Sequence, residues 1–121
     1  MSYDGKHLGE EGEILAAAYI EALGFRILER NYRTRLGEID LIAGRRKAVH
    51  FIEVKTRRSH AAGSPFEQVT VHKQRQIIRV ALTFCQARRL REPEMHFDVV
   101  SVDYSTAAPV IDYLMDAFEA S

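Results

Sequence analysis

Two apolar runs carry acids where a core strand ordinarily has none: Gly37-Glu38-Ile39-Asp40-Leu41-Ile42 and Phe51-Ile52-Glu53-Val54-Lys55-Thr56-Arg57. Strand side chains alternate between faces, so Glu38, Asp40 and Ile42 fall on one face of the first run. Phe51, Glu53 and Lys55 share a face of the second. Paired as neighbours, the runs bring Asp40, Glu53 and Lys55 to one point. A carboxylate taken out of water is costly unless compensated, and two side by side raise each other's pKa. A divalent cation beside an ammonium group meets both demands, which outlines a hydrolytic metal site. Simpler readings compete. Arg33 or Arg35 could neutralise Asp40, and Glu53 and Lys55 could merely pair with each other.

These runs need elements to position them. A helical pattern extends from Leu8 to Leu23, with Ile14, Ala17, Ala18 and Glu21 at helical spacing and Gly24 as a stop. Phe25 to Tyr32 reads as a first strand, Glu38 to Ala43 as a second and Ala48 to Thr56 as a third, with Gly44-Arg45-Arg46-Lys47 as a charged hairpin. A polar loop from Arg58 to Ser64 leads into a long helix that begins at Pro65 or Val69 and ends at Leu90. Its expected buried stripe is Ile77, Ile78, Ala81, Leu82 and Cys85. Met95 to Tyr104 gives a fourth strand, with Phe97 and Val99 alternating against Asp98 and Val100. Val110 to Tyr113 gives a fifth. Leu114 to Ser121 reads either as a frayed helix or as an ordered cap. One helical crossover between strands three and four makes the fourth parallel to one strand of the meander. The expected fold class is therefore α/β, a mixed sheet flanked by helices, in one domain of 121 residues.

The net charge of zero conceals an uneven distribution. Ten basic residues lie between Arg26 and Arg58 against four acids, Glu29, Glu38, Asp40 and Glu53. After Arg91 the chain has acids and no Lys or Arg. A basic block around buried acids suits a polyanion such as nucleic acid, although a charge run can equally be a solvated rim. No run is apolar enough to cross a membrane, and the opening residues lack a signal-peptide layout, so a cytoplasmic location is expected. The lone Cys85 offers neither a disulfide nor a thiolate site. His7, His50, His60, His72 and His96 lack ligand spacing, and His50 faces away from Glu53 by parity. No phosphate-binding Gly-rich loop or Ser-His-Asp grouping occurs, which disfavours nucleotide hydrolysis and acyl transfer.

The order helix, three strands with the acids, helix, strand resembles the PD-(D/E)XK nuclease superfamily and its restriction-endonuclease-like core. Gly12-Glu13 before Ala16-Ala17, Gly24-Phe25, Arg30-Asn31-Tyr32-Arg33, the two acid-bearing runs, Lys73 and Phe97-Asp98-Val99-Val100 resemble the YraN-like family of bacterial proteins over nearly the whole chain. Members of that family are described as uncharacterised and similar to archaeal Holliday-junction resolvases. The resemblance implies that Asp40, Glu53 and the Val54 carbonyl hold Mg²⁺ or Mn²⁺, hard ions that favour oxygen ligands. It implies that Lys55 orients or deprotonates the attacking water, and that Glu13 adds a carboxylate from the first helix. Glu10, one turn earlier, competes for that last role. Glu38 is either a ligand or a neighbour of one.

Arg57 follows Lys55 on the same face and suits a phosphate clamp, since its guanidinium is planar and always charged. Arg30, Arg33 and Arg35 read as contacts to a nucleic-acid backbone, and Lys73, with Gln74, as a helix contact to phosphate. The implied activity is metal-dependent endonucleolytic cleavage of branched or structured DNA, with DNA preferred over RNA and no membrane partner. By the same analogy a homodimer is expected, with Tyr113, Leu114, Met115 and Phe118 as its apolar surface. Two other classes compete: a nucleic-acid-binding module that no longer cleaves, and an interaction protein using its acidic C-terminal part.

Overall fold

The computed structural model describes residues 5–58 and 64–120, and the side chains from residue 8 onward. His60 and most of the Arg58–Ser64 loop, like the side chain of His7, therefore lie outside the described residues. Helix α1 spans Gly5–Ala22 and buries Leu8, Ala16, Ala17 and Ile20. Small alanines let the helix lie close to the sheet, whereas Ile14, at the same helical spacing as Ala17, is 63% exposed. Gly24 ends the helix in a left-handed conformation (φ 98°), with Phe25 N donating to Ile20 O and Gly24 N to Glu21 O.

Strands β1 (Arg26–Thr34), β2 (Gly37–Arg45) and β3 (Ala48–Arg57) form an antiparallel meander. A 3₁₀ turn at Pro65–Gln68 and helix α2 (Val71–Ala87) then cross to β4 (Glu94–Asp103), which runs parallel to β3. The expected single long helix is thus two pieces. Ser64 caps the first by accepting from Phe66 N, and Thr70 caps α2 by accepting from Lys73 N at 3.2 Å. Helix α2 stops three residues before Leu90, where Arg89 turns left-handed (φ 55°).

The buried stripe of α2 is Ile77, Val80, Ala81, Phe84 and Cys85. Leu82, expected there, is 54% exposed, and Val80 and Phe84 take the positions that the helical period assigns to the sheet. β5 spans Val110–Phe118 and pairs antiparallel with β4, so most of the tail read as helix or cap is strand. The sheet order β1-β2-β3-β4-β5 gives the mixed sheet with two helices that the pattern of elements implied, consistent with a restriction-endonuclease-like architecture. One core lies between the sheet and α2, built on Phe51, Phe84, Phe97 and Val99. A second lies between the sheet and α1, built on Ile20, Leu41, Ile52 and Val100. No helix among the described residues is long and apolar enough to cross a membrane.

Candidate active site

Strands β2 and β3 pair from Arg45↔Ala48 to Leu41↔Ile52. An unbroken ladder would next set Asp40 opposite Glu53 and then Ile39 opposite Val54. Instead the Asp40 carboxylate fills the gap: Val54 N donates to Asp40 Oδ2 at 2.8 Å. The strict alternation of β2 also slips here, because Ile39 joins the core under α2 while Leu41 joins the core under α1. A buried amide needs a partner, and a carboxylate oxygen supplies it where the neighbouring strand departs. In an extended strand the N–H and C=O of one residue leave on the same side, so the Val54 carbonyl also faces this gap.

Glu53, one residue earlier on β3, is 8% exposed and lies within hydrogen-bond reach of Asp40. Burial, then the Asp40 charge, pushes Glu53 up from 4.5 to about 8, against the pull of Lys73 and Lys55. Asp40 is also raised, chiefly by burial, although the Val54 amide holds it down. Lys55 Nζ stands 4.0 Å from Glu53 Oε1, at the limit of an ion pair. The simple mutual pairing of these two residues is therefore present but loose, and it leaves Glu53 strongly perturbed. Arg33 pairs with Glu38 at 3.3 Å, which leaves Lys73 as the cation whose charge acts on Asp40.

Glu13 reaches the same point from α1. Gly12 permits this approach, since a Cβ there would overlap the Thr56 methyl of β3. Burial, then Asp40, raises Glu13, which is within hydrogen-bond reach of Asp40, whereas Glu10 is exposed. The choice between the two helix acids thus falls to Glu13 on position. Both line a pocket of about 360 Å³ with Ile14, Arg30, Asn31 and Leu41. Asn31 is a member of the cluster that sequence reading missed. Its amide nitrogen, turned toward the acids, donates to Glu13 Oε2 and Glu38 Oε1 at 3.2 Å each. Its backbone is left-handed (φ 50°), a conformation asparagine tolerates, and it lies in β1 between Arg30↔Leu41 and Tyr32↔Ile39, opposite Asp40. An asparagine in mid-strand was the available signal.

Among the described residues, no three His, Cys, Asp or Glu side chains close around one point as a preformed cage. Asp40, Glu53 and the Val54 carbonyl offer a half-open set of oxygens. That suits Mg²⁺ or Mn²⁺, of which Mg²⁺ usually takes one or two carboxylates and completes its shell with water and phosphate. The donor chemistry fits, because carboxyls raised by burial, and in Glu13 and Glu53 by the Asp40 charge as well, are what a cation would relieve.

The remaining candidates divide. Lys73, at the third position of α2, acts electrostatically on both Asp40 and Glu53. Gln74 instead donates to Val69 O at 3.0 Å, a structural contact within its own turn. Arg30 pairs loosely with Glu21 at 3.7 Å, and Arg35 is exposed in the β1–β2 turn. Arg57 ends β3 beyond Lys55, its carbonyl accepting from Tyr104 N. The basic block does not wrap the acids as a whole. Arg26, Arg45, Arg46 and Lys47 stand at the opposite end of the sheet and line a separate groove.

That far end also holds a network that the alternation pattern concealed. Asp98 is fully buried; its Oδ2 accepts from His50 Nδ1 at 2.7 Å and from the Tyr113 hydroxyl, and its Oδ1 from Asp116 N at 2.9 Å. His50 stacks on His96, which bridges Asp116 and Glu94.

Comparison with known proteins gives one consistent result. Residues 12–102 match the model of the uncharacterised protein family UPF0102. A UPF0102 protein of Geobacter metallireducens is 45% identical over 119 residues, covering 98% of each chain. One from Geotalea uraniireducens is 44% identical over 117 residues, 96% of this chain and 92% of the other. One from Chlorobium limicola is 46% identical over 102 residues, 84% of this chain and 79% of the other.

Proposed function

The chain belongs to the uncharacterised protein family UPF0102, and from that footing we propose that it is a metal-dependent endonuclease of the PD-(D/E)XK kind, hydrolysing phosphodiester bonds in branched or structured DNA. The observation that carries this reading is the gathering of Glu13, Asp40 and Glu53 where β2 leaves β3, all with raised pKa, beside Lys55 and Lys73. Structural ion pairs rarely set three acids against one another; sites that must accept a cation do.

In this reading Asp40, Glu53 and the Val54 carbonyl hold Mg²⁺ or Mn²⁺. When bound, the ion supplies Lewis-acid stabilisation of the phosphate and a more acidic water. Lys55 Nζ aligns or deprotonates the attacking water and offsets charge that builds on the phosphate. Glu13 orients that water from the α1 side, held in place by Asn31. Arg57 and Lys73 bind the phosphates next to the scissile bond, while Arg30, Arg33 and Arg35 steady the backbone beyond it. A cytoplasmic homodimer with DNA as its partner completes the proposal. Sedimentation as a monomer at micromolar concentration removes the dimer part alone.

The test uses four-way-junction, flap and single-stranded DNA with and without Mn²⁺. Wild type should nick the branched substrates, and Asp40→Ala and Lys55→Ala should each lose at least about a hundred-fold in rate. Salt-sensitive binding by all three proteins with no cleavage by any replaces the enzyme with a binding module.

A further inference from the structure

The groove at the hairpin end of the sheet has a volume of about 870 Å³ and a rim of Arg26, Arg45, Arg46, Lys47, Arg88 and Arg91, with Glu92 as its single acid. All six basic residues are exposed. Two of their guanidinium groups are held in place: Arg45 lies over the Phe25 ring at 4.4 Å, and Arg88 lies over Phe84 while pairing with Glu29 at 2.8 Å. The floor is apolar, with Leu28, Val49 and Phe84.

Helix α2 connects this groove to the candidate active site. Between Gln68 and Arg91 the chain has no Asp or Glu, but it has Lys73, Arg75, Arg79, Arg88, Arg89 and Arg91. Lys73 acts on the carboxylates at one end of the helix and Arg88 lines the groove at the other. Arg75 and Arg79 are four residues apart and exposed, so they form a stripe on the outer face of the helix, about a third to half a turn around from Lys73 and Arg88. A helix of 17 residues is about 25 Å long, which is the length of roughly seven base pairs.

We propose that the groove is a second nucleic-acid backbone site. Resting on the nuclease reading, it receives the arm of the substrate that runs from the scissile bond along α2, and clamps its phosphates about seven base pairs away. A polyanion fits a groove lined by six cations and one acid, and no acid on the helix repels a backbone that passes from the cleavage end. The apolar floor accommodates sugar rings beneath the phosphates.

The experiment measures binding of a labelled 20-base-pair duplex in EDTA, where cleavage plays no part. The protein is wild type or the triple variant Arg46→Gln, Lys47→Gln, Arg91→Gln, with thermal melting used to check the fold of each. The variant should bind about 10- to 50-fold more weakly at low salt, with the slope of log K against log salt shallower by about two to three. A hydroxyl-radical footprint should show two protected backbone patches for wild type and one for the variant, a loss that lower net charge alone does not produce. Equal affinity and slope, failure of wild type to bind the duplex, or tighter binding of wild type to phosphatidylserine vesicles than to DNA overturns the proposal. If the variant loses binding yet wild type never nicks DNA, the groove stands and the nuclease reading falls. If wild type nicks and the variant binds normally, the reverse holds.

Discussion

The two ends of the sheet each bury a carboxyl group from a strand, and they treat it in opposite ways. Asp98, 0% exposed, receives three protein donors: the His50 ring, the Tyr113 hydroxyl and the Asp116 amide. Asp40 receives the Val54 amide and a hydrogen bond shared with Glu53, a second acid, and it has Glu13 and Glu38 beside it and the Lys73 charge acting on it. Burial alone therefore does not mark a site. What differs is the kind of compensation: the far end closes one acid with three donors, whereas the near end gathers several acids that share a proton and the charges of Lys55 and Lys73.

The sharpest way to break this contrast is to remove each acid and measure stability. Asp98→Ala strands the buried His50 donor and two part-buried ones, so it should cost about 3–5 kcal/mol in denaturant unfolding. Asp40→Asn keeps an acceptor for the Val54 amide and removes a charge from an acid cluster, so its midpoint should stay level or rise. A protein that tolerates the first change and unfolds with the second would reverse the assignment of the two ends.

Sequence reading found the near end and missed the far one for a physical reason. Asp40, Glu53 and Lys55 were legible because charged residues stand out inside apolar runs and pairing of the two runs brings them together, although the alternation of β2 slips at Asp40. Strand alternation hid Asp98: between Phe97 and Val99 an acid looks like the wet face of an amphipathic strand, and only the neighbouring strands show His50, Tyr113 and Asp116 enclosing it. Asn31 offered only a weak signal, an asparagine in mid-strand, because its role depends on a left-handed backbone and on two partners from α1 and β2. The strand from Leu114 to Phe118 was lost because Asp116 is left-handed (φ 55°) and the pairing shifts register between Phe97 and Val99, which breaks the period-two pattern. Exposed Leu82 misled the stripe of α2 by a fraction of a turn. The order of elements and the mixed sheet survived these errors, since they rest on many residues at once.

A pH series sharpens the contrast at intermediate size. Glu53 sits at about 8 in the folded protein against an ordinary 4.5. The folded state holds a proton that the unfolded chain releases, so the stabilisation is full below about 4.5 and is lost as pH rises through about 8. His96 is raised despite burial, by Glu94 and Asp116, and its contribution also fades as pH rises, so wild type must be compared with Glu53→Gln. In EDTA, wild type should lose about 2–4 kcal/mol more than Glu53→Gln between pH 5 and 9. Added Mn²⁺ should recover much of the difference at pH 8 or above, because it replaces the lost proton. Parallel melting curves for the two proteins would mean that Glu53 is compensated within the chain, as Asp98 is.

The smallest expected effect comes from Asn31, which joins the two acids that the near end does hold within the protein. Its amide bridges Glu13 and Glu38, and its backbone is the left-handed residue opposite Asp40. Asn31→Gly relieves the backbone and deletes the bridge, whereas Asn31→Ala deletes the bridge and strains the backbone. Both should release Glu13 from its position and lower the nicking rate about ten-fold, roughly 1.4 kcal/mol. Asn31→Ala alone should also lower stability, by about 1–2 kcal/mol. Equal stability losses in the two variants would place the cost in the lost bridge and leave the left-handed backbone with no measurable part in it. An unchanged rate in both would show that Glu13 keeps its place without Asn31, leaving burial and the Asp40 contact as what positions the helix acid.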